Sequence, residues 1–375
     1  MSWILMVIGL VLFVALVVVH EFGHYIAARR NGVDVEEFGI GFPPKAWGKK
    51  LKNGVLFTIN WLPLGGFVKL KGEHDADTAK GSYGAASLKA KTKIMLAGVA
   101  MNLVTAIVLF TILALVGMPK IIDDQFTVDS DTTVSRNDVL VAQVGDDSPA
   151  AQAGLQQRDN LISIGNDDSD KQDVVSAESL PDITKSYAGQ TIKVVYERNG
   201  ETNSTSADLR TQEEVESSKD SERPVGYLGV APAEFTVRNS TWSAPIVGVG
   251  ITAQFTELTL KGIGTALAGL FSGNTEQASS QVAGPVGVFV LLKDGSDLGF
   301  QFILMIIAVI SLTLAIMNTL PIPALDGGRL FTTYVYKILG KKLTPKAEEL
   351  INGTGFALLM VLFLLITIVD VRRFF

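Results

Sequence analysis

The stretch that decides the fold is WILMVIGLVLFVALVVVHEFGHYIAA, Trp3 to Ala28, in which a long apolar run passes without a break into a polar motif. A helix rises about 1.5 Å per residue, so about 20 apolar residues cross a hydrocarbon core of about 30 Å. The run Trp3 to Val19 is near the short end of that range, and it spans comfortably only if HEFGH continues the same helix. The stretch therefore predicts a transmembrane helix that carries His20, Glu21 and His24.

A cleaved signal peptide is the alternative for this N-terminal run. Signal peptides carry their basic residues before the apolar stretch. Here Arg29 and Arg30 follow that stretch, and no basic residue precedes it. A retained membrane helix is therefore favoured.

The composition of the chain is typical of a membrane protein. Of its 375 residues, 47% are hydrophobic and only 19% are charged, and the apolar residues are concentrated in long runs. Three runs follow the first, at Ile94 to Val116, Phe300 to Met317 and Phe356 to Val369. With no cysteine in the chain, disulfides and thiolate metal sites are excluded, so a transition-metal site must use His, Asp or Glu.

The distribution of charge predicts the topology. Residues 121–240 hold 23 acidic and 10 basic residues (−13), and the rest of the chain holds 15 and 22 (+7). Between Arg29 and Lys93 there are 12 basic and 6 acidic residues, so the positive-inside rule assigns this loop to the cytoplasm. The acidic block is then extracytoplasmic. The basic residues flank apolar runs, which argues against nucleic-acid binding.

The motif HEFGH is the strongest chemical signal. Its histidines are four residues apart, so both lie on one helical face and can ligate one metal ion, with Glu21 beside them to take a proton from water. Ionisable residues at membrane depth are costly and imply function. The alternative is a polar helix end in the lipid headgroups, which needs no metal.

A catalytic zinc takes three protein ligands and an open position. The third histidine, His74, lies in a polar loop, so a carboxylate is the better candidate. Asp326 lies in MNTLPIPALDGGRL, Met317 to Leu330, where prolines interrupt the third apolar run. Irregular backbone at membrane depth is tolerated where it lines a cavity. By itself this Asp would be assigned to an Asp-Gly turn, but its placement favours a metal ligand.

HEFGH on the first helix and N-x-x-P-x-P-x-L-D-G-G on a later one resemble the site-2 protease family, in particular its bacterial type, the regulator of sigma-E protease. The resemblance includes GPVGV at Gly284 to Val288. It implies Zn²⁺ as cofactor, with His20, His24 and Asp326 as ligands, Glu21 as the base, and Asn318 as a residue that helps hold the substrate or the transition state.

The segments FGIGFPPKAWGKK, 38–50, and LFTINWLPLGGFVKLKGE, 56–73, also resemble that family. The resemblance implies a membrane-associated β-hairpin on the cytoplasmic side that presents an edge strand near the active site. An unwound substrate would add to that edge as a strand. The candidate substrate-binding residues are Phe57, Thr58, Ile59, Asn60, Trp61, Gly65 and Gly66.

The acidic block resembles a single PDZ domain over Gln125 to Glu234, through SPAAQAGL and the strand LISI. The block is predicted to contain strands at 139–144, 161–164 and 191–198, helices after Ser148 and at 180–187, an Asn199-Gly200 turn and a polar loop at 211–223. Arg158 stands where the family usually has Gly, which suggests a less tight turn. Tyr227, Leu228, Gly229 and Val230 form the candidate last strand and peptide loop. An occluded groove is the alternative.

The predicted fold is a polytopic α-helical membrane protein with about four transmembrane helices, the hairpin, and an inserted α+β PDZ domain. The predicted domains are a first membrane half (1–120), the extracytoplasmic PDZ domain (121–235), an amphipathic connecting segment (236–299) and a second membrane half (300–375). Within the connecting segment, 243–271 is expected to be a helix on the outer membrane surface or a plain linker.

The predicted function is that of an intramembrane zinc metalloprotease in a bacterial inner membrane, with its active site towards the cytoplasm. By resemblance, it would cut single-span membrane proteins such as an anti-sigma factor or a signal-peptide remnant, in regulated intramembrane proteolysis. Its PDZ domain would bind a peptide C-terminus or exclude bulky ectodomains. The alternatives are a catalytically idle membrane scaffold that displays the PDZ domain, and a metal transporter. A transporter would be expected to carry polar metal ligands on several spans.

Overall fold

The computed structural model describes residues 2–167, 169–198, 200–220, 224–274 and 283–375. Within these residues, four helices are long and apolar enough to cross a membrane: Trp3–Arg30, Leu88–Val116, Phe300–Met317 and Pro345–Phe374. They coincide with the four apolar runs, so the prediction of about four spans is confirmed at the level of length and composition.

The helices of the described residues are, in chain order, α1 (Ser2–Arg30), α2 (Leu88–Val116), α3 (Pro149–Gln152), α4 (Ser179–Ser186), α5 (Gln212–Ser218), α6 (Ala244–Ser272), α7 (Pro285–Leu298), α8 (Phe300–Met317), α9 (Asp326–Ile338) and α10 (Pro345–Phe374). The strands are β1 (Val35–Lys50), β2 (Leu56–Leu70), β3 (Met118–Pro119), β4 (Thr133–Val144), β5 (Asn160–Gly165), β6 (Gln172–Asp173), β7 (Thr191–Arg198), β8 (Glu201–Asp208) and β9 (Val230–Asn239).

The chain forms two compact units. The first comprises residues 1–116, 125–128 and 241–375, and the second comprises residues 117–124 and 129–240. The first unit contains the four long apolar helices, and the second contains most of the acidic block.

Helix α1 continues through HEFGH, as predicted, and extends to Arg30. It ends where Gly32 takes a left-handed conformation (φ 76°), and the Asn31 side chain donates to the carbonyl of Ala27. Glycine favours this C-terminal position because a left-handed backbone carries no Cβ penalty there. The polar motif is therefore part of one continuous helix that is long and apolar enough to cross a membrane.

Helix α2 packs closely against its neighbours through small residues. A Cβ on Gly23 of α1 would lie 2.5 Å from the carbonyl oxygen of Ala97. On another part of α2, Phe110 stacks on Phe255 of α6 with ring centroids 5.6 Å apart. Small residues let membrane helices approach until their backbones touch. Helix α2 is thus fixed against both α1 and α6.

The hairpin is formed by β1 and β2, but each strand is bent and contributes two segments to the sheet. Residues 37–40 pair with 66–69 and also with 56–59, and residues 56–59 pair in turn with 47–50. The order across the sheet is therefore 66–70, 35–40, 56–60 and 45–50. Gly65, at φ 107°, lies between the two segments of β2.

This order corrects the predicted edge strand. Phe57, Thr58 and Ile59 have a neighbouring segment on both sides, so their backbone hydrogen-bonding groups face other strands of the hairpin. Thr58 is fully buried and its hydroxyl donates to the Glu37 carboxylate at 2.7 Å. Among the described residues, the segments with a partner on one side only are 45–50 and 66–70. A role of Phe57–Trp61 in substrate binding stays a prediction.

The second unit is built on a seven-stranded antiparallel sheet, in the order β3-β9-β4-β5-β7-β8, with β6 attached to β5. The predicted strands at 139–144, 161–164 and 191–198 lie in β4, β5 and β7. Ser148 caps α3 by accepting from Ala151 N–H, and Gly154 (φ 76°) follows the helix. The predicted helix at 180–187 is α4. These elements agree with the predicted α+β structure, while the assignment as a PDZ domain stays a prediction.

Three predictions in this unit need correction or comment. Residues 227–229 are not a strand: they form a loop before β9, in which Gly229 has φ 78°. The polar loop at 211–223 contains the helix α5, and its last three residues, like Asn199 of the predicted turn, lie outside the described residues. Arg158 has φ 76°, so the turn keeps the left-handed backbone that usually requires Gly.

The predicted helix at 243–271 is α6, so the plain-linker alternative is wrong for that stretch. Its Val247, Ile251 and Phe255 are buried, whereas Leu258 and Leu267 are exposed. Its location on the outer membrane surface stays a prediction. Residues 275–282 of the predicted connecting segment lie outside the described residues.

Candidate metal centre

Three side chains from distant parts of the sequence converge in the first unit. The Nε2 atom of His20 lies 3.0 Å from Oδ2 of Asp326, and the Nε2 atom of His24 lies 3.1 Å from that same oxygen. The two Nε2 atoms are 3.1 Å apart. Both histidines are buried. Among the described residues, this is the cluster whose geometry could hold a metal ion.

The histidines owe their positions to the helix. Residues four apart on α1 lie one above the other on the same face, so the two imidazole rings meet edge to face with centroids 4.8 Å apart. The helix that carries them is continuous, which makes their spacing rigid.

Asp326 is positioned by a compact loop between α8 and α9. Helix α8 ends at Met317, and α9 begins at Asp326 itself. Gly327 N–H donates to the carbonyl of Asn318 at 2.8 Å. A Cβ on Gly328 would lie only 1.9 Å from the carbonyl oxygen of Ile322. The two glycines after Asp326 therefore let the start of α9 fold directly onto the proline-containing loop.

The hydrogen bonding of His24 supports a cation at this centre. Its Nδ1 lies 2.7 Å from the carbonyl oxygen of Ile94, and because a carbonyl only accepts, Nδ1 carries the hydrogen. A neutral His24 then directs the lone pair of Nε2 at the carboxylate of Asp326, which is an acceptor too. A cation between them satisfies both groups. Tetrahedral zinc ligands at about 2.0–2.1 Å from the metal are about 3.3 Å apart, close to the observed 3.0–3.1 Å. The residues present thus fit zinc.

Glu21 lies beside the cluster and contacts the hairpin. A Cβ on Gly66 would lie 3.6 Å from Cγ of Glu21. The segment 66–70, one of the two free edges of the hairpin, is therefore the part of the sheet that contacts the motif.

The structure gives the contacts of Asn318, of His74 and of the predicted peptide loop. The amide of Asn318 donates to the carbonyl of Leu314 in its own helix at 3.0 Å. His74 lies 3.8 Å from a Glu348 oxygen and 3.6 Å from a Glu349 oxygen, and it is not one of the three residues that converge. In the second unit, the carbonyls of Tyr227, Leu228 and Gly229 accept from Arg210, Ala150 and Gly145 N–H.

A charged network surrounds the start of α9. Arg329 donates to the carbonyl of Glu73, and its guanidinium lies 4.5 Å from the centre of the Tyr83 ring. Burial raises the pKa of Tyr83 to about 12. A cavity of about 460 Å³ opens here, lined by Asp326, Arg329 and Glu348 among others. The network connects the helix that carries Asp326 to the base of the hairpin.

Sequence reasoning missed two residues at the centre, Gly98 and Asn102 of α2. A Cβ on Gly98 would lie 2.5 Å from Nε2 of His24. The Asn102 amide lies 3.3 Å from Nδ1 of His20. A polar residue within an apolar span is a signal of function, and this signal could have identified Asn102.

Comparison with known proteins is consistent with this geometry. Residues 8–362 match peptidase family M50. The zinc metalloprotease RasP of Oceanobacillus iheyensis is 26% identical over 449 residues, which cover 98% of both chains. The Enterococcus faecalis protein named "probable protease eep" is 26% identical over 448 residues, with the same coverage. A Clostridium acetobutylicum protein, provisionally named a zinc metalloprotease, is 29% identical over 99% of this chain and 98% of its own.

Proposed function

The chain belongs to peptidase family M50 and is a membrane zinc metalloprotease, and from that premise we propose that it hydrolyses peptide bonds within the transmembrane segments of single-span proteins. The single observation that carries the proposal is the convergence of His20, His24 and Asp326 within 3.0–3.1 Å of one another. Two of these residues are part of a helix long and apolar enough to span a membrane.

In this proposal His20, His24 and Asp326 hold the zinc ion. Two imidazoles and one carboxylate are a common ligand set of catalytic zinc, and they leave a position for water or substrate. When bound, zinc supplies Lewis acidity that lowers the pKa of water and polarises a carbonyl group.

Glu21 is proposed as the general base and acid. Its place next to His20 in the helix puts its carboxylate at the edge of the cluster. It would accept a proton from the attacking water while the water oxygen bonds to the peptide carbonyl carbon. It would then deliver that proton to the leaving nitrogen as the C–N bond breaks. The Glu21 side chain lies on the hairpin side, where its Cγ would be 3.6 Å from a Cβ on Gly66.

The substrate is proposed to bind as an added strand along the hairpin. A transmembrane helix has its carbonyls hydrogen-bonded internally, so it must unwind before attack. The edge at 66–70 suits this role better than Phe57–Trp61, because it is free on one side and contacts Glu21. Gly66 places no side chain between that edge and the carboxylate. Asn318 would help to hold the substrate or the oxyanion, after its amide leaves the Leu314 carbonyl.

The second unit is proposed to act as a PDZ domain that gates substrates, either by binding a peptide C-terminus at 227–230 or by excluding bulky ectodomains. The charge asymmetry supports an extracytoplasmic location for this unit and a cytoplasmic one for the hairpin and the metal centre, in a bacterial inner membrane. Substrates already trimmed on the outer side, such as an anti-sigma factor or a signal-peptide remnant, would then be preferred.

The proposal is tested by cleavage of candidate single-span substrates in proteoliposomes, with wild type, Glu21→Gln and the control Glu257→Gln. Glu257 is exposed on α6 and pairs with Lys261 of the same helix at 2.6 Å. Glu21→Gln should lose at least about 100-fold in rate, since general acid–base catalysis contributes 10²–10⁴-fold. Equal cleavage by wild type and Glu21→Gln would overturn the role of Glu21.

Zinc content tests the ligand set separately. His20→Ala and Asp326→Ala should bind far less zinc than wild type, whereas Glu21→Gln should retain it. If all these proteins contained equal zinc, the ligand assignment would be wrong. To test gating, residues 129–240 are replaced by a Gly-Ser linker. If full-length substrates then resisted cleavage as before, exclusion by this unit would be ruled out.

A further inference from the structure

Asn102 is a polar side chain enclosed in the membrane-spanning part of the first unit. It lies on α2 and has no solvent exposure. Its Nδ2 atom lies 3.3 Å from Nδ1 of His20. Its Oδ1 atom is buried and has no hydrogen-bond partner among the described residues. A buried amide oxygen without a donor costs about 1–3 kcal/mol, so this arrangement calls for an explanation.

The chemistry of His20 supplies that explanation. His20 directs Nε2 at the cluster, at 3.0 Å from Asp326. An imidazole that offers the Nε2 lone pair to a metal carries its hydrogen on Nδ1. That hydrogen needs an acceptor, and an amide nitrogen cannot accept, whereas an amide oxygen can. Rotation of the Asn102 amide by 180°, which exchanges two atoms of nearly equal size, satisfies Nδ1–H of His20 and Oδ1 of Asn102 together.

The two histidines then have matching supports. Nδ1 of His24 donates to the carbonyl of Ile94, and Nδ1 of His20 donates to the amide of Asn102, so both acceptors belong to α2. The backbone at Asn102 is itself held, because the Ser311 hydroxyl of α8 donates to the Asn102 carbonyl at 2.8 Å. Metal-ligating histidines commonly have such an acceptor on their second nitrogen, and it fixes the tautomer and the ring orientation.

We propose that Asn102 is a positioning residue that accepts a hydrogen bond from Nδ1–H of His20 and thereby holds the Nε2 lone pair of His20 towards the zinc ion. The inference rests on the proposed ligand set of His20, His24 and Asp326. Asn102 itself contacts neither the metal nor the substrate.

A purely structural role for Asn102 makes a different prediction. Polar side chains between membrane helices also contribute to helix packing. If Asn102 only packed the helices together, its replacement by another side chain of similar size would leave zinc binding unchanged. The positioning role requires an acceptor. Asn102→Leu keeps the branched shape, is larger than Asn and removes the acceptor, and Asn102→Ala removes the acceptor without adding volume. Asn102→Asp keeps shape and volume and provides a carboxylate acceptor, a frequent partner of zinc-bound histidines.

The test measures zinc affinity of the full-length protein in detergent by competition with a chromophoric chelator. Asn102→Leu and Asn102→Ala should both bind zinc 10–100-fold more weakly than wild type, whereas Asn102→Asp should bind it almost as tightly as wild type. Thr105→Val is the matched control, because Thr105 is also on α2 and its hydroxyl donates within the helix, to the carbonyl of Met101. It should bind zinc as wild type does. The visible spectrum of the Co²⁺-substituted protein should change in Asn102→Leu and not in Thr105→Val.

The outcomes separate this inference from the proposed function. Wild-type zinc affinity in Asn102→Leu or in Asn102→Ala would overturn the inference, and so would equal losses in Asn102→Leu and Asn102→Asp, which would indicate packing alone. Both results leave the ligand set intact if His20→Ala loses zinc in the same assay. If His20→Ala binds zinc like wild type, it is the proposed ligand set that fails.

Discussion

Gly98 of α2 lies directly against the ring of His24 of α1: a Cβ at Gly98 would come within 2.5 Å of Nε2 of His24 and within 2.7 Å of Nε2 of His20. A separation below 3.0 Å requires that something move. The groups that would have to move are the donor atoms of the proposed metal site, so this glycine sets how closely α2 approaches them.

Gly98→Ala should therefore weaken zinc binding. Overpacking a tight site costs about 1–3 kcal/mol, which corresponds to a loss of about 5–150-fold in affinity if the strain is relieved by moving the imidazoles. Zinc content and peptidase rate should fall together. Gly264→Ala on α6 is the control, because a Cβ there meets no atom within 4 Å. Unchanged zinc affinity in Gly98→Ala would mean that the helices separate instead.

Glu348 should stabilise the first unit through its buried carboxylate. Asp75 N–H donates to Oε2 of Glu348 at 2.8 Å, and Nε of Arg329 lies 3.7 Å from Oε1. Removal of one partner of a buried ion pair costs about 3–5 kcal/mol. Because Arg329 is partly exposed, we expect a loss of stability at the lower end of that range. Glu348→Ala should clearly lower the thermal midpoint in detergent.

Its neighbour Glu349 provides the matched control. The Glu349 side chain is 67% exposed, and exposed ion pairs contribute about 0–1 kcal/mol. Glu349→Ala should leave the thermal midpoint almost unchanged. Equal shifts for the two variants would show that the buried network around Arg329 contributes little.

The features of this structure that could be predicted from the sequence depend on the spacing of nearby residues and on composition. The four spans follow from the apolar runs, and the helical periodicity of HEFGH places His20 and His24 on one face. The scarcity of histidine, together with the proline-interrupted segment, led to Asp326. These patterns depend on residues close in sequence or on the composition of the whole chain.

The features that were not predicted depend on how helices pack against each other and how strands pair. In the apolar span of α2 the face that packs on α1 is marked by Asn102, one helical turn after Gly98, and because that signal was not used Gly98 was missed. The hairpin edge was assigned to Phe57–Trp61 because bends within β1 and β2, which bring residues 56–59 between two neighbours, leave no mark in the alternation of side chains. Helix α5 was missed although Thr211 and Glu214 are the signature of a capping box.

The capping box of α5 predicts a local pH dependence. The Thr211 N–H and hydroxyl donate to Glu214 and hold the pKa of its carboxyl below the usual 4.5. A carboxyl with a lowered pKa stabilises the folded state above its unfolded pKa, and the contribution is lost as the pH falls through the folded value. The protection factors of the amides at the start of α5, which are exchange rates corrected for the intrinsic effect of pH, should therefore fall below about pH 4.5. Glu214→Gln, which does not ionise, should show no such step, and a step of equal size in that variant would contradict the assignment.

Asp370, near the end of the fourth span, should anchor the start of α7. It is 2% exposed, and its Oδ2 accepts from Gly287 N–H at 2.7 Å, one of the backbone donors that the first turn of a helix leaves unpaired. Asp370→Ala should lower the thermal midpoint in detergent, because a buried donor without a partner costs about 1–3 kcal/mol. Asp370→Asn retains an oxygen acceptor and should have a smaller effect, while Val371→Ala, at a neighbouring exposed position, should have almost none. If Asp370→Asn were as damaging as Asp370→Ala, the negative charge at the positive end of the helix dipole, rather than the hydrogen bond, would be what holds α7 against α10.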